Sequence, residues 1–278
     1  MSLGVLIDLS KSASGCIAVS NKPGRLDELV ALVAEVKSGK EVGFKEALGL
    51  RGKISFAESN LFGRVGAAAG HILAGWARTA RKRPASVELV EALEGAVQAL
   101  LEAPPRRIRP IGEGPVEIVF LDGAVEDDVA TVGGVLFGSA GKLEHFGLEV
   151  PAQITESWKS KAGQTQTIGQ AEIFPALVAR LTWQRDLEGR KCVFFIDNES
   201  ARLALVKQYS PVLPSLRLLM QCSAFDVRHG LTPWYARVPT ASNIADGPSR
   251  MISKQVENLG SKRVDPVLPD GVFAKRML

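Results

Sequence analysis

Two apolar runs in this chain, residues 116–121 (VEIVFL) and 191–196 (KCVFFI), each stop at an aspartate, Asp122 and Asp197. Short runs of this kind, rich in Val, Ile and Phe, read as buried strands. A carboxylate at the end of such a strand costs several kcal/mol if it is buried without a partner. If the two strands are neighbours, the two carboxylates come within several ångströms and each raises the pKa of the other. A divalent cation is the natural remedy, so the pattern points to a metal-dependent site.

The surrounding sequence supplies the rest of a sheet. Strands are expected over residues 129–137, 142–150 and 231–238, and helices over 168–185, 199–207, 213–225 and from 245 onward. Together these predict an α/β domain with a mixed five-stranded sheet flanked by helices. Glu172 falls in a helix whose Ile173, Leu177 and Leu181 face inward, which aims its carboxylate along the helix edge at the sheet. Asp246 follows Asn243-Ile244-Ala245 and opens the last helix. Four carboxylates with no cysteine or histidine make an all-oxygen site suited to Mg2+ or Mn2+. Two such ions, roughly 3.5 to 4 Å apart, would serve in-line phosphoryl displacement, one activating water and one stabilising the leaving oxygen.

The first part of the chain differs in style. Two β-like runs, 4–9 and 15–19, precede amphipathic helices expected over 26–36, 44–64 and 86–101, the last with Ser86 as N-cap. Two adjacent prolines and three arginines then favour an extended connector. This divides the chain into a mostly helical segment 1–103, a Pro/Arg linker 104–114, the α/β domain 115–252 and a tail 253–278.

With 278 residues, 46% of them hydrophobic, the chain can bury a sizeable core, and its net charge of +4 decides nothing about partners. Cys16, Cys192 and Cys222 are odd in number and widely spaced, which predicts neither disulfides nor a zinc site. No apolar stretch suits a membrane helix. These features predict a soluble, intracellular protein, cytoplasmic or nuclear, with no membrane partner.

The motifs VFLDGA (119–124), QAEIFPAL (170–177), FFIDNESA (194–201) and NIADGPSR (243–250) resemble, in order, the four acidic motifs of the retroelement ribonuclease H family. The resemblance implies a ribonuclease H-like fold with Asp122, Glu172, Asp197 and Asp246 as catalytic metal ligands for two ions. It also implies cleavage of the RNA strand of RNA–DNA hybrids. In that scheme Asp122 bridges both ions, Glu172 and Asp197 hold the leaving-group side, and Asp246 holds the ion that activates water. Gly123 and Asn198 would approach the strand, where the 2′-hydroxyl distinguishes RNA from DNA. Upstream, GLRGKISFAESNLFGRVG (49–66) resembles the thumb segment of retrotransposon polymerases, and the opening residues resemble the edge of a reverse-transcriptase palm. The chain then corresponds to palm edge, thumb or connection, and ribonuclease H, with the polymerase portion as a partner. No polymerase activity is expected, because Asp127-Asp128 follows Val125-Glu126 without an aromatic and reads as a hairpin tip. The loop 238–243 lacks the histidine that many family members carry before the last aspartate, and neither His145 nor His229 obviously replaces it.

Plainer alternatives stand beside these readings. Asp122-Gly123 alone reads as a turn, and Asp197-Asn198 as a helix N-cap. The basic residues Arg78 to Arg83 suit a solvated helix end as well as a phosphate contact. Arg106, Arg107 and Arg109 have a better claim to nucleic acid, with salt-sensitive binding to follow. Trp158, in a polar loop beside Lys159 and Lys161, suits base stacking or packing equally. Trp76, Trp183, Trp234 and Phe225 are expected in cores. Two other functions remain open: a catalytically weak or inactive nucleic-acid-binding scaffold, and a DNA nuclease of the same superfamily.

Overall fold

In the computed structural model, residues 4–61, 64–79, 81–108, 114–159 and 167–269 are described. The chain forms two units, one of residues 1–113, 226–230 and 272–278, the other of 114–225 and 231–271. No helix among the described residues is long and apolar enough to cross a membrane.

The first unit has strands β1 (Val5–Asp8), β2 (Ile17–Asn21) and β3 (Arg106–Ile108) in an antiparallel sheet ordered β1-β2-β3. Helices α1 (Arg25–Lys37), α2 (Phe44–Glu58), α3 (Ala67–Arg78) and α4 (Val87–Glu102) complete it. Ser86 caps α4 as its sequence predicts, accepting from the Leu89 amide at 3.3 Å. One expectation is corrected. The helix expected over 44–64 stops at Glu58, because Ser59 and Asn60 turn their side chains back onto the Phe56 carbonyl at 2.8 and 3.2 Å. In the stretch expected to be extended, Arg106 and Arg107 pair with Val19 and Ala18 in the sheet. In the basic stretch, Arg83 lies over the Trp76 ring at 4.0 Å, and the Trp76 indole donates to the Val42 carbonyl at 2.8 Å.

The second unit is a mixed sheet flanked by helices. Strands β4 (Val116–Glu126), β5 (Val129–Phe137) and β6 (Leu143–Glu149) form an antiparallel meander. Helices α5 (Ala152–Trp158), α6 (Ile168–Thr182) and α7 (Gln184–Leu187) lead to β7 (Lys191–Ile196). After α8 (Glu199–Lys207) and α9 (Leu213–His229) come β8 (Thr232–Arg237), α10 (Asp246–Ser249), α11 (Lys254–Asn258) and β9 (Lys262–Arg263). The order is β8-β7-β4-β5-β6-β9, with β8, β7 and β4 parallel. To the five expected strands the two-residue β9 adds a sixth, parallel to β6. A two-residue pairing leaves no hydrophobic period to read in the sequence.

Strand alternation sends Val119, Leu121, Phe194, Ile196 and Tyr235 to one face, where they bury against Ala171, Phe174, Val178 and Leu205 of α6 and α8. Burying each large apolar side chain contributes roughly 1.5 to 3 kcal/mol. On the other face, Val135 packs with Ala245 and Val256 from the α10–α11 segment. Glu126, Asp127 and Asp128 form the exposed β4–β5 tip, with Asp127 and Asp128 at positive φ as a two-residue hairpin loop requires.

The tryptophans divide. Trp183 is buried and donates to Glu144 at 3.1 Å, and Trp76 and Phe225 are also buried. Trp158 ends α5 rather than sitting in a loop, and packs edge-on to Phe174, with ring centroids 5.2 Å apart. Trp234, expected in the core, is 71% exposed. It stands on β8, an edge strand, beside half-buried Val193 of β7, and among the described residues no strand covers its outer flank. Lys161 lies outside the described residues.

Candidate metal centre

The parallel pairing of β4 with β7 sets Leu121 opposite Ile196, so the next residues, Asp122 and Asp197, leave neighbouring strands side by side. The apolar runs thus deliver their terminal aspartates to one place.

Glu172 arrives from above on α6. That helix comes unusually close to β4 because position 123 is glycine: a Cβ there would lie 2.1 Å from the Ala171 carbonyl oxygen. Pro175, inside α6, has no amide hydrogen to give that carbonyl, so it is left facing the strand. One ligand atom each from Asp122, Glu172 and Asp197 lie within 4.8 Å of one another.

Asp246 opens α10, a single turn seated on two glycines of the sheet. A Cβ at Gly133 would lie 2.3 Å from the Ser249 amide nitrogen, and one at Gly147 would lie 2.3 Å from the Pro248 carbonyl oxygen. This seat lets Ser249 donate its hydroxyl to Oδ2 of Asp122 and, at 2.8 Å, contact the Asp246 carbonyl. Asn243 donates to the Leu121 carbonyl at 3.0 Å and, at 3.5 Å, to Oδ1 of Asp122. The Asp246 carboxylate itself is outside the three-residue cluster and accepts from Arg250 Nε at 3.0 Å.

The electrostatics are those of acids held together against their repulsion. Burial, followed by the charges of Asp197 and Asp246, raises the Asp122 carboxyl to about 6, against the opposing Ser249 hydrogen bond and Arg250 charge. Burial and the Asp122 charge raise Glu172 to about 8, although the Asn198 amide opposes the shift by donating at 3.2 Å to Oε1. The other oxygen, Oε2 of Glu172, is buried and has no hydrogen-bond partner among the described residues. An orphaned buried oxygen beside two further carboxylates fits a hard divalent cation, and the donor set is oxygen alone.

Of the expected substrate contacts, Gly123 and Asn198 are engaged within the protein. Gly123 admits α6, and Asn198 holds Glu172 while its side-chain oxygen caps α8 by accepting from the Ala201 amide at 3.0 Å. Arg106 and Arg107 lie on β3 of the first unit, and Arg109 lies outside the described residues. Sequence reasoning missed Ser249, Asn243 and Arg250 as neighbours of the acids. The only signal for them was their place within or beside NIADGPSR. His145 is fully buried, its Nδ1 2.8 Å from the Ser261 hydroxyl, away from the carboxylates.

No protein-family model matches the chain, and no curated protein matches it. Among solved structures it is similar to RNase H1 from the halophilic archaeon Halobacterium salinarum, with 20% identity and a TM-score of 0.36 over 52% of this chain and 98% of that one. The N-terminal RNase H domain of a Mycobacterium tuberculosis protein, solved as a fusion with maltose-binding protein, gives 14% identity and a TM-score of 0.35, over 53% and 99% of the two chains. An RNase H1 isolated from compost by a metagenomic approach gives 14% and 0.36, over 51% and 98%. What the site can do follows from its own carboxylates.

Proposed function

We propose that this chain hydrolyses the RNA strand of RNA–DNA hybrids, using Mg2+ or Mn2+ held by Asp122, Glu172 and Asp197, with Asp246 completing a two-ion site. The observation that carries this reading is the buried Oε2 of Glu172, without a hydrogen-bond partner among the described residues and within reach of two further carboxylates. When bound, such ions neutralise a phosphodiester and make water a stronger nucleophile. The chain's own residues prepare the ligands: Ser249 and Asn243 orient Asp122, and Asn198 orients Glu172.

Hybrid specificity and a retroelement origin rest on the order of the four acidic motifs and on the thumb-like segment 49–66. On that reading residues 1–103 are palm edge and thumb or connection, 104–114 the linker, 115–252 the nuclease and 253–278 a tail. Arg106, Arg107 and Arg109 would contact phosphates, and the polymerase portion would be a partner.

The test is a gel assay with labelled RNA–DNA hybrid, RNA duplex and DNA duplex, with Mg2+ or Mn2+ and with Asp197→Asn as control. Cleavage of the hybrid's RNA strand by the unaltered chain alone supports the reading. Cleavage of the DNA duplex instead points to a DNA nuclease, and hybrid binding without cleavage points to a scaffold.

A further inference from the structure

Asp246 differs from the other three acids in what holds it. Its backbone is fixed, because the α10 turn rests on Gly133 and Gly147 and is tied to Asp122 through Ser249. Its side chain is not: it is 40% exposed and turned to Arg250, whose guanidinium also pairs with Glu126 at the β4–β5 tip. Arg250 is a permanent cation, since a guanidinium keeps its proton, and its field reaches Asp122. The fourth carboxylate is therefore already matched by a positive charge belonging to the chain.

Resting on the metal-site reading above, we propose that Arg250 is a positioning residue that stands in for the second cation. It keeps the Asp246 carboxylate turned from Asp122, Glu172 and Asp197, so the protein alone takes one divalent ion. The second enters only when a phosphodiester draws the guanidinium off Asp246. Exposed ion pairs are weak and exchangeable, whereas guanidinium and phosphate match in bidentate geometry. Two divalent ions beside an undisplaced guanidinium would repel it. The arrangement makes full loading depend on the anionic substrate.

Titration of the full metal-free chain with Mn2+, counted by the paramagnetic resonance of free Mn2+, tests this without any turnover. The unaltered chain should bind one ion, and a second on addition of a hybrid whose RNA strand is 2′-O-methylated. Arg250→Gln should bind the second ion without nucleic acid, about tenfold or more tighter. Arg250→Lys, which keeps the charge, should behave as the unaltered chain. Glu126→Gln, on an exposed tip, should leave Arg250 wholly to Asp246 and weaken the second ion further. Two ions on the unaltered chain without nucleic acid would overturn the proposal. So would equal second-ion affinity in the unaltered, Arg250→Gln and Glu126→Gln chains. If the unaltered chain binds no more Mn2+ than Asp122→Asn, the metal-site reading itself fails.

Discussion

Ser249 donates its hydroxyl hydrogen to Oδ2 of Asp122 across 127 residues of sequence. The bond joins the central strand to the α10 turn on the opposite side of the acid cluster from α6. It is available because Gly133 gives the turn room to touch the sheet backbone. The hydroxyl stabilises the ionised form of Asp122 against burial and against the charges of Asp197 and Asp246. A sheet glycine thus bears on the protonation of a carboxyl on the adjacent strand.

Ser249→Ala should therefore raise the Asp122 carboxyl above about 6 and make protons stronger competitors for its oxygens. A hydrogen bond to a charged group contributes roughly 1.5 to 3 kcal/mol. Apparent Mg2+ affinity, measured by calorimetry, should fall by about tenfold near pH 6.5 and converge on the unaltered value near pH 9. An equal loss at both pH values would assign Ser249 a packing role only.

The metal-free protein should lose stability as pH rises, the reverse of the usual carboxylate pattern. Asp122 and Glu172 have folded-state values of about 6 and about 8, above their ordinary values of 3.8 and 4.5. Below about pH 3 both are largely protonated in both states and the folded state bears no penalty. The penalty grows through pH 6 for Asp122 and pH 8 for Glu172. With solvent screening allowed for, it should reach on the order of 3 kcal/mol by pH 9. Thermal melts between pH 4.5 and 9, with and without Mg2+, check this, and the cation should restore most of the loss. Glu172→Gln should remove the part of the decline between pH 6 and 8 and much of the Mg2+ effect.

Gly123→Ala should disturb the acid cluster without altering any of its carboxylates. The added methyl would stand 2.1 Å from the Ala171 carbonyl oxygen, and backbone on both sides leaves no flexible group to yield. Helix α6 must move outward, carrying Glu172 from Asp122 and Asp197. Overpacking of this kind costs roughly 1 to 3 kcal/mol. The expected result is a lower melting temperature together with at least about tenfold weaker Mg2+ binding. Unchanged binding alongside a lower melting temperature would separate the helix position from the cation site.

The parts of this arrangement legible in the sequence are those with local causes. Asp122 and Asp197 announce themselves because an apolar run that ends in a charge needs an explanation, and their side-by-side placement follows from β4 pairing with β7. Glu172 was legible from the inward period of Ile173, Leu177 and Leu181. Ser249 and Arg250 were not, because their partners are chosen by the approach of α10 to Gly133 and Gly147, a tertiary event with no local period. Helix α5 was hidden for a related reason: its seven residues are few for a helical period, and it is held by Trp158 packing on Phe174. The short β9 left no pattern at all.

Trp234 shows how the same alternation misleads at a sheet edge and gives a final test. In β8 its neighbour Tyr235 is buried against Phe194, with ring centroids 5.7 Å apart, and Tyr235 accepts from buried Arg180 at 2.7 Å. Trp234 points to the other face, where among the described residues no strand beyond β8 covers its flank, and Pro233 beside it lacks the amide a further strand would need. Trp234→Ala should change stability by less than about 1 kcal/mol, since most of the ring is already in water. Trp183→Ala removes a 1% exposed indole and its bond to Glu144, and should cost about 3 to 5 kcal/mol. Paired thermal or denaturant melts of the two variants check the contrast. A Trp234→Ala loss as large as that of Trp183→Ala would mean that in solution this face of the sheet is covered.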